Sequence, residues 1–142
     1  MQAEVDRSVR IMRLNHVTLI VGELQRSLRF YRLLGLVPIV HEPPRYARFV
    51  CPDGDATLSI EVTGEAAVPA RVQLYFECEA LDERVAQLRA AGLRFHQLPK
   101  DMDYLWREAR LADPDGHELR LYRAGPNRLD PPWKLRAGEL PG

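Results

Sequence analysis

The sequence predicts an α+β fold: two repeated βαβββ modules forming a cupped mixed β-sheet, with the helices on the outer face. Three features of the chain carry that expectation. The stretch Leu24–Leu36 (LQRSLRFYRLLGL) returns as Leu81–Leu93 (LDERVAQLRAAGL), an offset of 57 residues that pairs Leu24 with Leu81, Arg32 with Arg89, Gly35 with Gly92 and Leu36 with Leu93. The same offset lays His16–Val21 (HVTLIV) over Gln73–Cys78 (QLYFEC), and both alternate along the chain as a half-buried strand does. A Pro-Asp-Gly turn also occurs twice, in Cys51–Gly54 and again in Asp113–Gly116.

Each element follows from its local pattern. After the first strand, Leu24, Leu28, Tyr31 and Leu34 recur at helical spacing, and the run stops at Gly35, a residue suited to a C-terminal cap. A short extended segment, Val37–His41, leads to a strand at Tyr46–Val50 that runs into the first turn, where Pro presets φ and Gly accepts a positive φ. The strand Thr57–Val62 closes the first module, about residues 13–63, and Thr63–Ala70 reads as a linker. The second module, about 70–123, repeats the order: a strand, a helix on Leu81, Val85 and Leu88 ending near Gly92, an extended piece at Leu93–His96, strands at Arg107–Ala112 and Glu118–Tyr122. Residues 124–142 are rich in Pro and Gly and lack periodicity, so a wrapping or frayed tail is expected. Trp133 in this tail is a candidate to dock on the body or on a second subunit.

Composition narrows the function classes. A chain of 142 residues that is 46% apolar forms one domain with a real core. Its 20 Lys and Arg cancel 20 Asp and Glu, so no global field draws in nucleic acid or an anionic membrane. No apolar run approaches the ~20 residues of a membrane span, and the charged start Met1–Arg10 is unlike a secretory signal, so a soluble cytoplasmic protein is expected. The two cysteines, Cys51 and Cys78, have no metal-knuckle spacing and are expected to be buried free thiols. There is no GxGxxG, P-loop, GxSxG or HExxH pattern, which leaves nucleotide cofactors and serine hydrolysis without support.

Alternation also sorts the strand side chains. Val17, Leu19 and Val21, Leu58 and Ile60, Leu74 and Phe76, Ala109 and Leu111, and Leu119 and Leu121 fall on the side that packs under the helices. The opposite side collects His16, Thr18, Tyr46, Arg48, Ser59, Glu61, Gln73, Tyr75, Glu77, Trp106, Glu108, Arg110, Arg120 and Tyr122. Such a face is either simply wet or, if the strands curl into a cup, the lining of a ligand site. Tyr46, Arg48, Tyr75, Trp106 and Arg120 are the candidate ligand contacts. Arg120 suits a carboxylate, phosphate or enolate oxygen, or pairs with a neighbouring Glu. Glu61, Glu108 and Tyr122 are the candidates to move a proton, the tyrosines having packing as the alternative role. His117, directly after the second turn, is expected at the surface.

The run LNHVTLIVGELQRSLRFYRLLGL, followed by a second half that ends in LADPDGHELRLY, resembles the vicinal oxygen chelate superfamily: glyoxalase I, extradiol dioxygenases, and fosfomycin and bleomycin resistance proteins. The resemblance spans about Arg13 to Arg123. It implies paired βαβββ modules, a homodimer, and a divalent metal held by groups on the first and last strands of each half. Carried onto this chain, those positions are His16, Ser59, Gln73 and Arg120. Ser59 and Arg120 depart from the usual Glu or His, and Arg offers only donors. Glu61, two residues beyond Ser59, is the candidate replacement, giving His16, Glu61 and Gln73 as a ligand set for Zn, Mn, Ni or Fe. The resemblance implies a lyase or dioxygenase acting on a small oxygenated or anionic substrate. Its alternative is a ligand-sequestering protein of the bleomycin-resistance type, which the replaced ligand positions favour.

Overall fold

The computed structural model describes residues 12–69 and 71–139, so the charged segment Met1–Arg10, Ala70 at the end of the linker and the last residues of the tail lie outside the described residues. The chain folds as β1 (His16–Ile20), α1 (Leu24–Leu34), β2 (Val37–Glu42), β3 (Tyr46–Val50), β4 (Thr57–Glu61), β5 (Gln73–Glu77), α2 (Leu81–Ala90), β6 (Gln97–Asp101), β7 (Arg107–Ala112) and β8 (Glu118–Arg123). Two βαβββ modules are therefore present, each with a mixed four-stranded sheet, in the orders β1-β4-β3-β2 and β5-β8-β7-β6. In both, the first strand pairs in parallel with the last, and the remaining pairs are antiparallel. The strands thus form two separate four-stranded sheets, one per module.

One element sits elsewhere than the sequence suggests. The extended piece expected at Leu93–His96 is irregular, and the strand begins four residues later at Gln97 and contains Pro99. Proline is tolerated there because β6 is an edge strand whose register with β7 slips between Gln97 and Lys100. Pro38 occupies the matching edge strand β2 of the first module, also beside a register slip.

The helices bury the stripes that their spacing marks out: Leu24, Leu28, Tyr31 and Leu34 on α1, and Leu81, Val85 and Leu88 on α2. They pack on Leu19, Phe49, Leu58, Ile60, Leu111, Leu119 and Leu121 in one cluster that runs through both modules. Each such side chain contributes about 1.5–3 kcal/mol on leaving water. Gly35 ends α1 with φ +117°, and the Leu36 N–H returns to the Tyr31 carbonyl at 3.0 Å. A β-carbon at Gly35 would also lie 2.5 Å from Arg84 Nη2, which comes from α2 to donate to the Leu34 carbonyl at 2.9 Å. A cation from one module thereby caps the helix of the other.

The second Pro-Asp-Gly turn makes the reciprocal contact. α1 has no side-chain cap and no acidic residue in its first turn. Asp115 brings a carboxylate to this helix end from the other module, accepting from the Gly22 N–H just before the helix at 3.0 Å, from Arg26 at 2.9 Å and from Ser27 Oγ at 3.3 Å. His117, expected at the surface, is instead 3% exposed, with its Nε2 3.0 Å from the Ile20 carbonyl. The turn is a docking element between modules, and docking buries what a free turn would expose.

The tail forms two single turns of 3-10 helix, Gly125–Arg128 and Ala137–Glu139, and Trp133 is exposed. Among the described residues, no helix is long and apolar enough to cross a membrane.

Candidate functional site

The register of the second sheet brings its polar side chains into rows. Tyr75, Arg120 and Arg110 lie side by side across β5, β8 and β7, and Glu77, Tyr122 and Glu108 form the next row. Trp106, just before β7, stacks on Tyr122 with ring centroids 4.7 Å apart and planes 21° from parallel. Tyr75 meets both rings edge-on, at 5.8 Å from Trp106 and 5.6 Å from Tyr122, and Tyr104 meets Trp106 at 5.9 Å. Two devices aim the indole. Leu105 takes a positive φ of 69°, which turns the chain sharply into the strand, and the Trp106 Nε1–H donates to the Asn127 carbonyl of the tail at 3.2 Å.

The charged groups beside these rings are fixed to one another. Glu108 is 0% exposed; one oxygen accepts from the Tyr104 hydroxyl at 2.6 Å and the other from Arg110 Nε and Nη2 at 3.3 and 3.2 Å. Burial, aided by the bond to Glu108, pushes the Tyr104 phenol above the ordinary tyrosine value. Burial and then the nearby Glu77 charge do the same to Tyr122. Arg120 donates through Nη1 to the Tyr75 hydroxyl at 2.7 Å, and its guanidinium carbon lies 5.5 Å from the centre of that ring.

The polar face of the first module is a chain of hydroxyls. His16 places Nδ1 2.6 Å from Thr57 Oγ1 and Nε2 3.2 Å from Thr18 Oγ1 and 3.4 Å from Ser59 Oγ. Ser59 continues to the Tyr46 hydroxyl at 2.6 Å, which accepts from Arg48 Nε at 2.9 Å. Both ring nitrogens of His16 are therefore engaged by neutral hydroxyls.

Two of the residues marked out for a metal, His16 and Glu61, are not brought together. β1 and β4 run in parallel with His16 opposite Thr57 and Glu61 opposite Ile20, which sets His16 and Glu61 four positions, about 13 Å, apart along the sheet. Gln73 lies on β5 in the other module, exposed and opposite Glu118. Among the described residues, no three His, Cys, Asp or Glu side chains converge as a metal site. Arg120, at the fourth position, is a donor only. This donor set does not fit a divalent ion within one chain.

Two openings flank the aromatic cluster. One, of about 370 Å³, lies between the modules and is lined by Tyr75, Glu77, Leu36, Arg84, Cys51 and Cys78; the other, of about 470 Å³, lies beside Trp106, Met102 and Leu105. The two cysteines are free as expected but half-buried, and burial pushes both thiols above their ordinary value.

The model of the Glyoxalase/Bleomycin resistance protein/Dioxygenase superfamily matches residues 13–121. The chain belongs to this superfamily. Among solved structures, this superfamily member resembles TnmS3, an antibiotic binding protein from Streptomyces sp. CB03234, with 20% identity and a TM-score of 0.69 over 82% of this chain and 98% of that one. It also resembles a lactoylglutathione lyase from Agrobacterium tumefaciens (16% identity, TM-score 0.67, covering 81% and 96%). A third likeness is to a superfamily member from Sphaerobacter thermophilus DSM 20745 (20% identity, TM-score 0.65, covering 81% and 99%). At these identities the likenesses establish the fold. No curated protein sequence matches the chain significantly.

Sequence reasoning missed Tyr104, which shares Glu108, and Asn127, which holds Trp106. Arg110 was placed on the polar face by the alternation rule, since it follows Glu108 by two. A backbone carbonyl in an aperiodic tail leaves no sequence signal.

Proposed function

We propose that this superfamily member binds and sequesters a small planar molecule on the polar face of its second module. The observation that carries the proposal is the cluster of Trp106, Tyr122, Tyr75 and Tyr104, a set of rings beside two open clefts. Trp106 and Tyr122 form a rigid floor, while Tyr75 and Tyr104, 40% and 37% exposed, offer ring surface to a flat partner. Tyr46 and Arg48 on the first module present a second, smaller set of the same kind, with the guanidinium carbon 5.5 Å from the centre of the ring. Sequestration agrees with a face whose carboxylate, Glu108, is already committed on both oxygens, and with the separation of Glu61 from His16 on the other module. TnmS3, an antibiotic binding protein of the same fold, supports the reading.

The reading includes a homodimer. β1 and β5 each pair along one edge only among the described residues, and a second copy covers such edges. Sedimentation equilibrium should then give twice the chain mass.

The test of binding is a nuclear magnetic resonance titration with 2-naphthamide, a neutral planar probe, that reads the two indole N–H signals. Trp106 should move and Trp133 should not. Trp106→Ala should weaken binding about tenfold. The probe should be recovered unchanged; a product formed with turnover would replace this reading by a catalytic one, and an unmoved Trp106 signal would remove it.

A further inference from the structure

The guanidinium of Arg120 is only half used. Nη1 donates to the Tyr75 hydroxyl at 2.7 Å. Nη2 lies 3.9 Å from Glu118 Oε2, too far for a hydrogen bond, and the other oxygen of Glu118 is held 2.7 Å from His96 Nε2. Nε is buried and has no partner, the one side-chain nitrogen or oxygen in that condition among the described residues. The side chain is 12% exposed, so bulk water does not make good the loss.

The neighbouring charges do not answer it either. Arg110 lies directly across the strand pair, a second cation. Its counter-charge, Glu108, is taken up by Arg110 and Tyr104. Glu77 sits one row away, opposite Tyr122. Two guanidiniums therefore stand side by side; Glu108 is bound to Arg110, Glu118 approaches Arg120 only at ion-pair distance, and Arg120 presents an N–H from Nε and another from Nη2. That pair of parallel donors matches the two oxygens of a carboxylate.

We propose that the ligand of this face is an aromatic carboxylate, held by the Nε and Nη2 donors of Arg120 while its ring lies on the Tyr75–Trp106–Tyr122 cluster. The inference rests on the ligand-binding reading above and names the ligand class for it. Tyr75 joins the two halves of the site: its hydroxyl accepts a hydrogen bond from Nη1, and its ring meets Trp106 and Tyr122. At 40% exposed it is also the neighbour with room to yield as a ligand oxygen reaches Nε. Charge and shape are then recognised together. A neutral ring gains only the stacking, and a carboxylate without a ring gains only the fork.

The experiment is calorimetric titration of the full chain with 2-naphthoate and with 2-naphthamide, which share a ring and differ in charge. The naphthoate should bind about tenfold to a hundredfold more tightly, the range expected for charged hydrogen bonds. Arg120→Met should abolish that preference, and Arg120→Lys, which keeps the charge without the fork, should lose most of it. Trp106→Ala should weaken both probes alike. Circular dichroism of each variant confirms that it is folded. Equal affinity of the wild-type chain for the two probes, or a preference that survives in Arg120→Met, overturns the carboxylate site and leaves the ligand-binding reading standing. Binding of neither probe overturns both.

Discussion

Tyr31 and Asp113 join the two modules through one buried hydrogen bond, the phenol donating to Oδ2 at 2.6 Å with the residues 0% and 5% exposed. The same carboxylate uses Oδ1 to accept the backbone N–H groups of Asp115 and His117, at 3.0 and 2.8 Å. Asp113 thus shapes its own turn and locks that turn onto α1. Tyr31→Phe removes the donor to Oδ2 in a place water does not reach, and should lower stability by about 1–3 kcal/mol in urea unfolding. A smaller loss would mean that the carboxylate finds another donor.

The same pair sets an alkaline limit. Burial, and next the Asp113 charge, pushes the Tyr31 phenol far above its ordinary 10.0. The folded chain then keeps a proton that the unfolded chain gives up, so this contribution is complete below about pH 10 and falls as the pH rises beyond it. The fall approaches about 1.4 kcal/mol per pH unit. Other tyrosines are shifted the same way, so the measurement is the difference between wild type and Tyr31→Phe in urea midpoints from about pH 9 to about pH 11. The stability advantage of the wild type should shrink across that interval.

Asp115 ties the entrance of α1 to the other module. Its carboxylate, 5% exposed, serves a backbone N–H, a guanidinium and a hydroxyl. Asp115→Ala should cost about 2–3 kcal/mol, because a buried carboxylate's hydrogen bonds to Gly22 and Ser27 and its ion pair with Arg26 are lost together. Asp115→Asn should recover part of it by still accepting from Gly22. If the two variants are equally unstable, the charge rather than the hydrogen bond to Gly22 carries the effect.

What the sequence revealed and what it concealed follow from distance along the chain. Periodicity over a few residues marks the helices, so Leu24 to Leu34 and Leu81 to Leu88 were legible with their buried faces. Alternation over five residues made β3 and β7 legible to the residue. Tyr31 and Asp113 are 82 residues apart, and nothing local in PDGH says that the turn will be pressed against another module. His117 was misplaced for that reason. Pro99 hid β6, because its cost vanishes only on an edge and edges are a property of the sheet order. For the site, the polar face was legible as a list of residues. Their grouping needed the register: it sets Arg120 beside Tyr75 and Arg110, and it separates Glu61 from His16.

Leu105 offers a test of local strain. Its φ of 69° is one that a leucine adopts at a cost of about 1–2 kcal/mol, and the side chain is 49% exposed, so little packing offsets it. Leu105→Gly relieves the strain but adds freedom to the unfolded chain, and should raise stability by about 0.5–1 kcal/mol. Leu105→Val, β-branched at the same φ, should lower it. Thermal unfolding of the two variants should move in opposite directions; movement in the same direction would show that the Leu105 side chain, not its backbone, is what matters there.

Glu108 and Arg110 decide whether this face carries a base or a fixed charge. A general base needs a carboxylate oxygen open to the proton it takes, and Glu108 has one oxygen on Tyr104 and the other on Arg110. The pair is uneven in burial, Glu108 fully enclosed and the Arg110 side chain 22% exposed. Arg110→Ala therefore strands a charge away from water and should cost about 3–5 kcal/mol. Glu108→Gln keeps an acceptor for Tyr104, leaves the cation with access to solvent, and should cost about 1–2 kcal/mol. Combining Glu108→Gln with Arg110→Met removes both charges and should be less damaging than Arg110→Ala alone. Urea unfolding of the three variants gives the order directly, and an Arg110→Ala protein more stable than Glu108→Gln would mean that the carboxylate is open enough to act on a ligand.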